Sequence, residues 1–179
     1  ALGATGATDG DQAMQVEGPG GWQQLTKVNV KPYLEQLSNK GVTVTAAITA
    51  FAADTTSTWM QVGMVLNCTN NNDSGANNNL GWIDLGLQDV AMDGAPHTLT
   101  WAIPDDQADR IAGADENISW FEFLLISNAD SASTVKFYVD NVRIAGVPTD
   151  TGKGTDFILG NFEQDLDRWV VAGGADVRY

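Results

Sequence analysis

Cysteine and histidine are nearly absent from this chain: Cys68 and His97 are the only examples among 179 residues. A lone cysteine rules out an intrachain disulfide, and with His97 in a different strand-like run it has no partner for nucleophilic catalysis. Basic residues are scarce too. Lys and Arg number 9 against 23 Asp and Glu, a net charge of −14. Such an excess repels phosphate backbones and anionic lipids, so neither nucleic acid nor a membrane surface is an expected partner. Apolar runs long enough to cross a bilayer are missing, as is a basic start followed by an apolar segment. No transmembrane helix and no attached signal peptide are therefore expected.

Glutamate is thin as well, 5 of the 23 acids against 18 Asp, and Asn and Gly are plentiful. Asp, Asn and Gly serve turns and left-handed positions, whereas Glu, Lys and Leu serve helices, so the bias is toward a loop-rich β protein. With 43% hydrophobic residues the chain can bury one core, and residues 1–179 are expected to form a single domain.

Period-two alternation recurs along the sequence. It aligns Met14 with Val16; Val42, Val44, Ala46 and Ile48; Met60, Val62, Met64 and Leu66; and Leu99, Trp101 and Ile103. Further on it aligns Phe121, Phe123 and Leu125, then Val135, Phe137 and Val139, then Val142 and Ile144. Turn-rich connections separate these runs at 18–21, 67–81 and 93–96. Many short strands with almost no helical period predict an all-β fold, a two-sheet antiparallel β-sandwich of jelly-roll type. Only Lys31–Lys40, opened by Pro32, and Pro104–Gly113 read as single helical turns.

Residues 145–156, AGVPTDTGKGTD, have the composition of a linker, and twelve extended residues reach about 40 Å. The linker is expected to carry the tail, 157–179, across the sandwich so that its strands complete a sheet begun at the other terminus. In FYVDNVRI the pair Asp140-Asn141 interrupts an alternating strand, with Val139 and Val142 both core-facing. That two-residue step suggests a bulge.

Taken with ATDGDQAMQV near the start and NFE in the tail, FYVDNVRI resembles the motifs of calcium-bearing β-jelly-roll carbohydrate-binding modules, the secreted modules appended to polysaccharide-degrading enzymes. Relative to that family the strand order is permuted, because the FE strand stands at the C-terminus. The resemblance implies a structural Ca²⁺ held by Glu163, Asp9 or Asp11, and Asp140, with backbone carbonyls completing the oxygen shell. It also implies a secreted, extracellular protein.

Sugar sites stack pyranose faces on exposed aromatic rings and pair hydroxyls with Asn, Gln, Asp and Glu. Six Trp are available. Alternation puts Trp101 in the core, while Trp59 shares a face with Gln61, and Trp120 with Glu122. Those four residues, with Trp22 and with Trp82 in the loop-like LGWID, are the candidate ligand-binding set. Trp169 is expected to pack the tail, and Lys136 and Tyr138 to line the same surface as the ligand set.

No paired carboxylates in an obvious motif and no proton-abstracting cluster accompany them, so the protein is expected not to be an enzyme. The predicted function is non-catalytic binding of a polysaccharide or oligosaccharide by a monomer or a strand-swapped dimer. Two alternatives stand beside it: a calcium-stabilised structural or adhesive repeat of a secreted or cell-surface protein, and a polysaccharide-degrading domain.

Overall fold

The structure, a computed structural model, describes residues 2–68, 80–114, 118, 120–148, 154–163 and 168–172. Its elements in chain order are β1 (Leu2–Gly3), β2 (Ala13–Pro19), β3 (Gln23–Asn29), α1 (Leu34–Leu37), β4 (Thr43–Phe51), β5 (Met60–Cys68) and β6 (Gly81–Asp89). After these come β7 (Asp93–Ala102), α2 (Asp105–Ala112), β8 (Glu122–Ala129), β9 (Thr134–Pro148), β10 (Gly154–Gly160) and β11 (Val170–Val171). The first sheet runs β1-β2-β9-β4-β7, with β10 also on β9, and the second runs β11-β3-β8-β5-β6. All pairings are antiparallel, and the molecule is a two-sheet β-sandwich.

Every residue that the alternation placed on a core-facing row is buried, from Met14 and Val16 through Trp101 to Val142 and Ile144. The reason is geometric: successive strand residues point to opposite faces, so one apolar row per strand meets its counterpart from the other sheet. The two expected helical turns are present as the short helices around α1 and α2, the first containing Pro32 and the second directly preceded by Pro104.

Three local expectations are corrected. The supposed linker 145–156 is mostly strand: β9 continues to Pro148 and β10 begins at Gly154, with Gly154 opposite Pro148. Val147 prolongs the buried row of Val142 and Ile144, so a hairpin replaces the long crossing; 149–153 lie outside the described residues. The loop-like LGWID is the start of β6, where Ile83 faces the core while Trp82 and Asp84 are exposed. The turn-like 93–96 belongs to β7, and Gly94 is required there because a Cβ would lie 2.6 Å from the Phe51 ring. Of the Asn-rich tract at 67–81, residues 69–79 lie outside the described residues, as do 173–179 of the tail.

The two ends of the chain meet on β9. Strand β2 pairs with its first half, Met14 opposite Val139, and β10 with its second half, Gly160 opposite Val142. Both run antiparallel to β9 on the side away from β4, so they form two collinear segments of one edge, with Asp140-Asn141 at the joint. The expected bulge is here: Thr45 and Ala47 of β4 face Arg143 and Asp140, three residues apart on β9, and Asn141 takes a φ of 53°.

Asp140, fully buried, closes the joint from β9. Its Oδ2 accepts the Thr8 N–H at 2.6 Å, the Thr8 hydroxyl at 2.8 Å and the Asp9 N–H at 2.9 Å, and its Oδ1 accepts the Asn141 N–H at 2.7 Å. Glu163 closes it from the tail: its two oxygens accept the Asp11 N–H at 2.8 Å and the Gln12 N–H at 3.0 Å. Gly10 sits between with φ 86°, and a Cβ there would lie 2.2 Å from the Glu163 carboxyl carbon.

Beyond the joint the tail crosses from one sheet to the other. Phe162 and Trp169 are buried between the sheets with their rings edge-on at 6.4 Å, and the Trp169 indole donates to the Leu159 carbonyl at 3.2 Å. Burying each ring stabilises the closure by roughly 1.5–3 kcal/mol. Val170 and Val171 then pair with Lys27 and Thr26 of β3.

Removing the Asp140 carboxylate leaves three N–H groups and a hydroxyl without their acceptor. Asp140→Ala is therefore expected to cost roughly 2–5 kcal/mol in denaturant melts. Gly10→Ala, facing both the clash and the positive φ, should be destabilising too. Wild-type stability in either variant would contradict this reading of the joint.

Candidate functional site

The solvent side of the second sheet carries exposed aromatic side chains together with polar ones. Cross-strand partners share a face, so its composition follows from the register. One row joins Gln61, Asn128 and Asp89; the next Gln24, Ile126, Gly63 and Leu87; the next Lys27, Leu124, Val65 and Asp84; the last Asn29, Glu122, Asn67 and Trp82. The middle rows form an apolar floor in which Val65, Leu124 and Ile126 are buried together with Ala172, the residue after β11. Polar side chains frame that floor.

Strand alternation puts Trp22, just before β3, on this same side. Two strands lie between β3 and β6, yet the rings of Trp22 and Trp82 approach to 6.0 Å between centroids with a 46° tilt, and they stay 47% and 40% exposed. The frame around them is fixed by hydrogen bonds. Gln61 donates to Asp89 at 2.9 Å and accepts from Asn128 at 3.4 Å, and Lys27 lies 2.9 Å from Glu122.

Of the six candidate ligand residues, Trp22, Gln61, Trp82 and Glu122 lie on or beside these four rows. Trp59 and Trp120 extend the same face beyond its two ends, more than about 25 Å apart along the strands. Trp120 is half-buried. Trp59 is 40% exposed, its indole donating to Asp130 at 2.8 Å. Lys136 and Tyr138 do not join them: they lie on β9 in the other sheet, with Lys136 3.3 Å from Asp54.

Lys27, Asn29, Asp84, Asp89 and Asn128 complete the frame and escaped the sequence reading. In β3 a register shift between Gln24 and Thr26 inserts Leu25, giving core residues spaced three and then two apart, which conceals the strand. In β6 a shift around Gly86, at φ 98°, does the same. Both are bulges, recognisable only once the partner strand is known.

The four candidate metal ligands do come together at the joint, but their placement does not fit a shared cation. A carboxylate offers about four acceptor positions, and Asp140 already receives four donors. Both oxygens of Glu163 accept N–H groups. Asp9 is 3.0 Å from the Arg143 guanidinium, which also donates to Asn141. Among the described residues no group of three or more His, Cys, Asp or Glu side chains converges as a metal site. Backbone N–H groups, the Thr8 hydroxyl and one arginine occupy the carboxylates of Asp140, Glu163 and Asp9. Chelation is accordingly expected to leave the melting temperature unchanged, and a fall that added Ca²⁺ reverses would contradict this.

The Thr58 N–H, with the Ser57 hydroxyl and the Trp59 indole, holds the Asp130 carboxyl below the ordinary aspartate range. A depressed folded value means the Asp130 contacts are fully present above the unfolded value and are lost as pH falls through the folded one. The Trp59 indole N–H resonance should therefore shift with a midpoint below that of a free aspartate. A midpoint at or above it would show that the clamp is absent in solution.

Comparison with protein-family models gives no match, and comparison with curated proteins gives none either.

Proposed function

We propose that this protein is a non-catalytic, secreted carbohydrate-binding module that holds a polysaccharide or oligosaccharide against the solvent side of its second sheet. One observation carries the reading: exposed indole rings at the margins of a face whose polar rim is carboxamide and carboxylate, with one ammonium, Lys27, paired to Glu122. Indole faces match the apolar faces of pyranose rings, and fixed Gln, Asn and Asp groups match their hydroxyls. The frame is ordered before ligand arrives, since Gln61, Asn128 and Asp89 already bond one another, and that lowers the entropic cost of binding.

Acid–base chemistry has little support at this face. The sole histidine, His97, is engaged with Asp93 at 3.0 Å on β7 of the other sheet. A monomer is the proposed state, with the tail paired to its own β9. Calcium has no part in the proposal, given how the joint carboxylates are used.

Affinity electrophoresis against a panel of soluble plant, algal and microbial glycans tests the reading. At least one should retard the wild type, and Trp82→Ala and Trp22→Ala should each weaken it about tenfold or more, since each removes a stacking platform. No retardation on any glycan, or full retention in both variants, would contradict it.

A further inference from the structure

Resting on that reading of the face, we propose that its preferred ligand carries ammonium groups: a chain of amino sugars in protonated form. Trp22 and Trp82 make an open wedge, tilted 46° at 6.0 Å, that offers two π faces from one place. Such paired indole faces attract cations, and Trp is the strongest of the aromatic side chains in this respect.

Anions stand beside the wedge. Asp84 is the next same-face residue after Trp82, about 7 Å along β6. One of its oxygens is fixed by the Gly86 N–H at 2.8 Å. Asp89 lies further along the same strand, fixed by Gln61. Glu122 is matched by Lys27, but among the described residues no cation lies against Asp84 or Asp89. Two further described cations border this sheet: Arg168 precedes β11 at the opposite margin, and Arg110 of α2 donates to the Leu80 carbonyl at 2.7 Å just before β6, so its charge is turned to that carbonyl and pairs with neither Asp84 nor Asp89.

These charges sort the possible chains. Uronate or sulfate groups would meet two unmatched carboxylates on a protein of net charge −14. A neutral chain would make the stacking contacts and leave both carboxylates without a counter-charge. An amino-sugar chain satisfies both, setting a flat ring on the indole and an ammonium group within reach of the carboxylate. A basic peptide would answer the charge but not the carboxamide rim, so the glycan is the favoured occupant.

Calorimetry with β-1,4-linked tetramers of glucosamine, N-acetylglucosamine and glucose, and with pentalysine, tests this at low and high salt. The glucosamine tetramer should bind about fivefold or more tighter than either neutral tetramer. That advantage should shrink with salt and in Asp84→Asn and Asp89→Asn, two exposed positions where the fold is under little threat. Equal affinity for the three tetramers overturns the ammonium preference and leaves the carbohydrate reading standing. Silence toward every glycan removes both, and tighter binding of pentalysine overturns the proposal in favour of a basic peptide.

Discussion

A buried carboxylate at the middle of one strand holds this sandwich closed. Asp140 interrupts an otherwise apolar core row of β9, and it is tolerated there because four donors surround it, three of them from the N-terminal loop. A buried charge without partners is costly, so the loop at Thr8 and Asp9 must dock for the strand to exist as it does. Glu163 applies the same chemistry from the other terminus, accepting the Asp11 and Gln12 N–H groups of that loop. Two segments separated by almost the whole sequence become one edge of one sheet.

That closure bears on the face where binding is proposed. The tail leaves β10, buries Phe162 and Trp169 between the sheets, pairs with β3 and delivers Ala172 to the floor beneath the polar frame. The Thr26 hydroxyl donates to the Val170 carbonyl at 2.8 Å, tying the tail to the strand that carries Lys27 and Asn29. Loosening of the joint would therefore be felt at the face where binding is proposed, through the tail that connects them.

Much of this was legible in the sequence because strands with one buried face announce themselves by alternation. Core rows in β2, β4, β5, β8 and β9 were readable, and so was the outward direction of Trp59, Gln61, Trp120 and Glu122. The bulge at Asp140-Asn141 was visible as a two-residue step between Val139 and Val142. What escaped was whatever a bulge conceals without an acid to mark it: β3, with its inserted Leu25, and β6, with its extra residue near Gly86. The stretch 145–156 misled through composition, since Gly, Thr and Asp read as linker while Val147 continued a buried row. Motif likeness grouped four acids whose backbones do meet at the joint, but a sequence shows carboxylates and not the backbone N–H groups that turn toward Asp140 and Glu163.

Native-state hydrogen exchange on the amides of Thr8, Asp9, Asp11 and Gln12 tests the closure most directly, since these N–H groups bond to Asp140 and Glu163. Protection matching that of the central strands β4 and β9, lost for the first pair alone when Asp140 is replaced by alanine, is the expected result. Fast exchange at all four positions, as in a fraying terminus, would show that the ends of the chain are not joined and that the account built on their union is wrong.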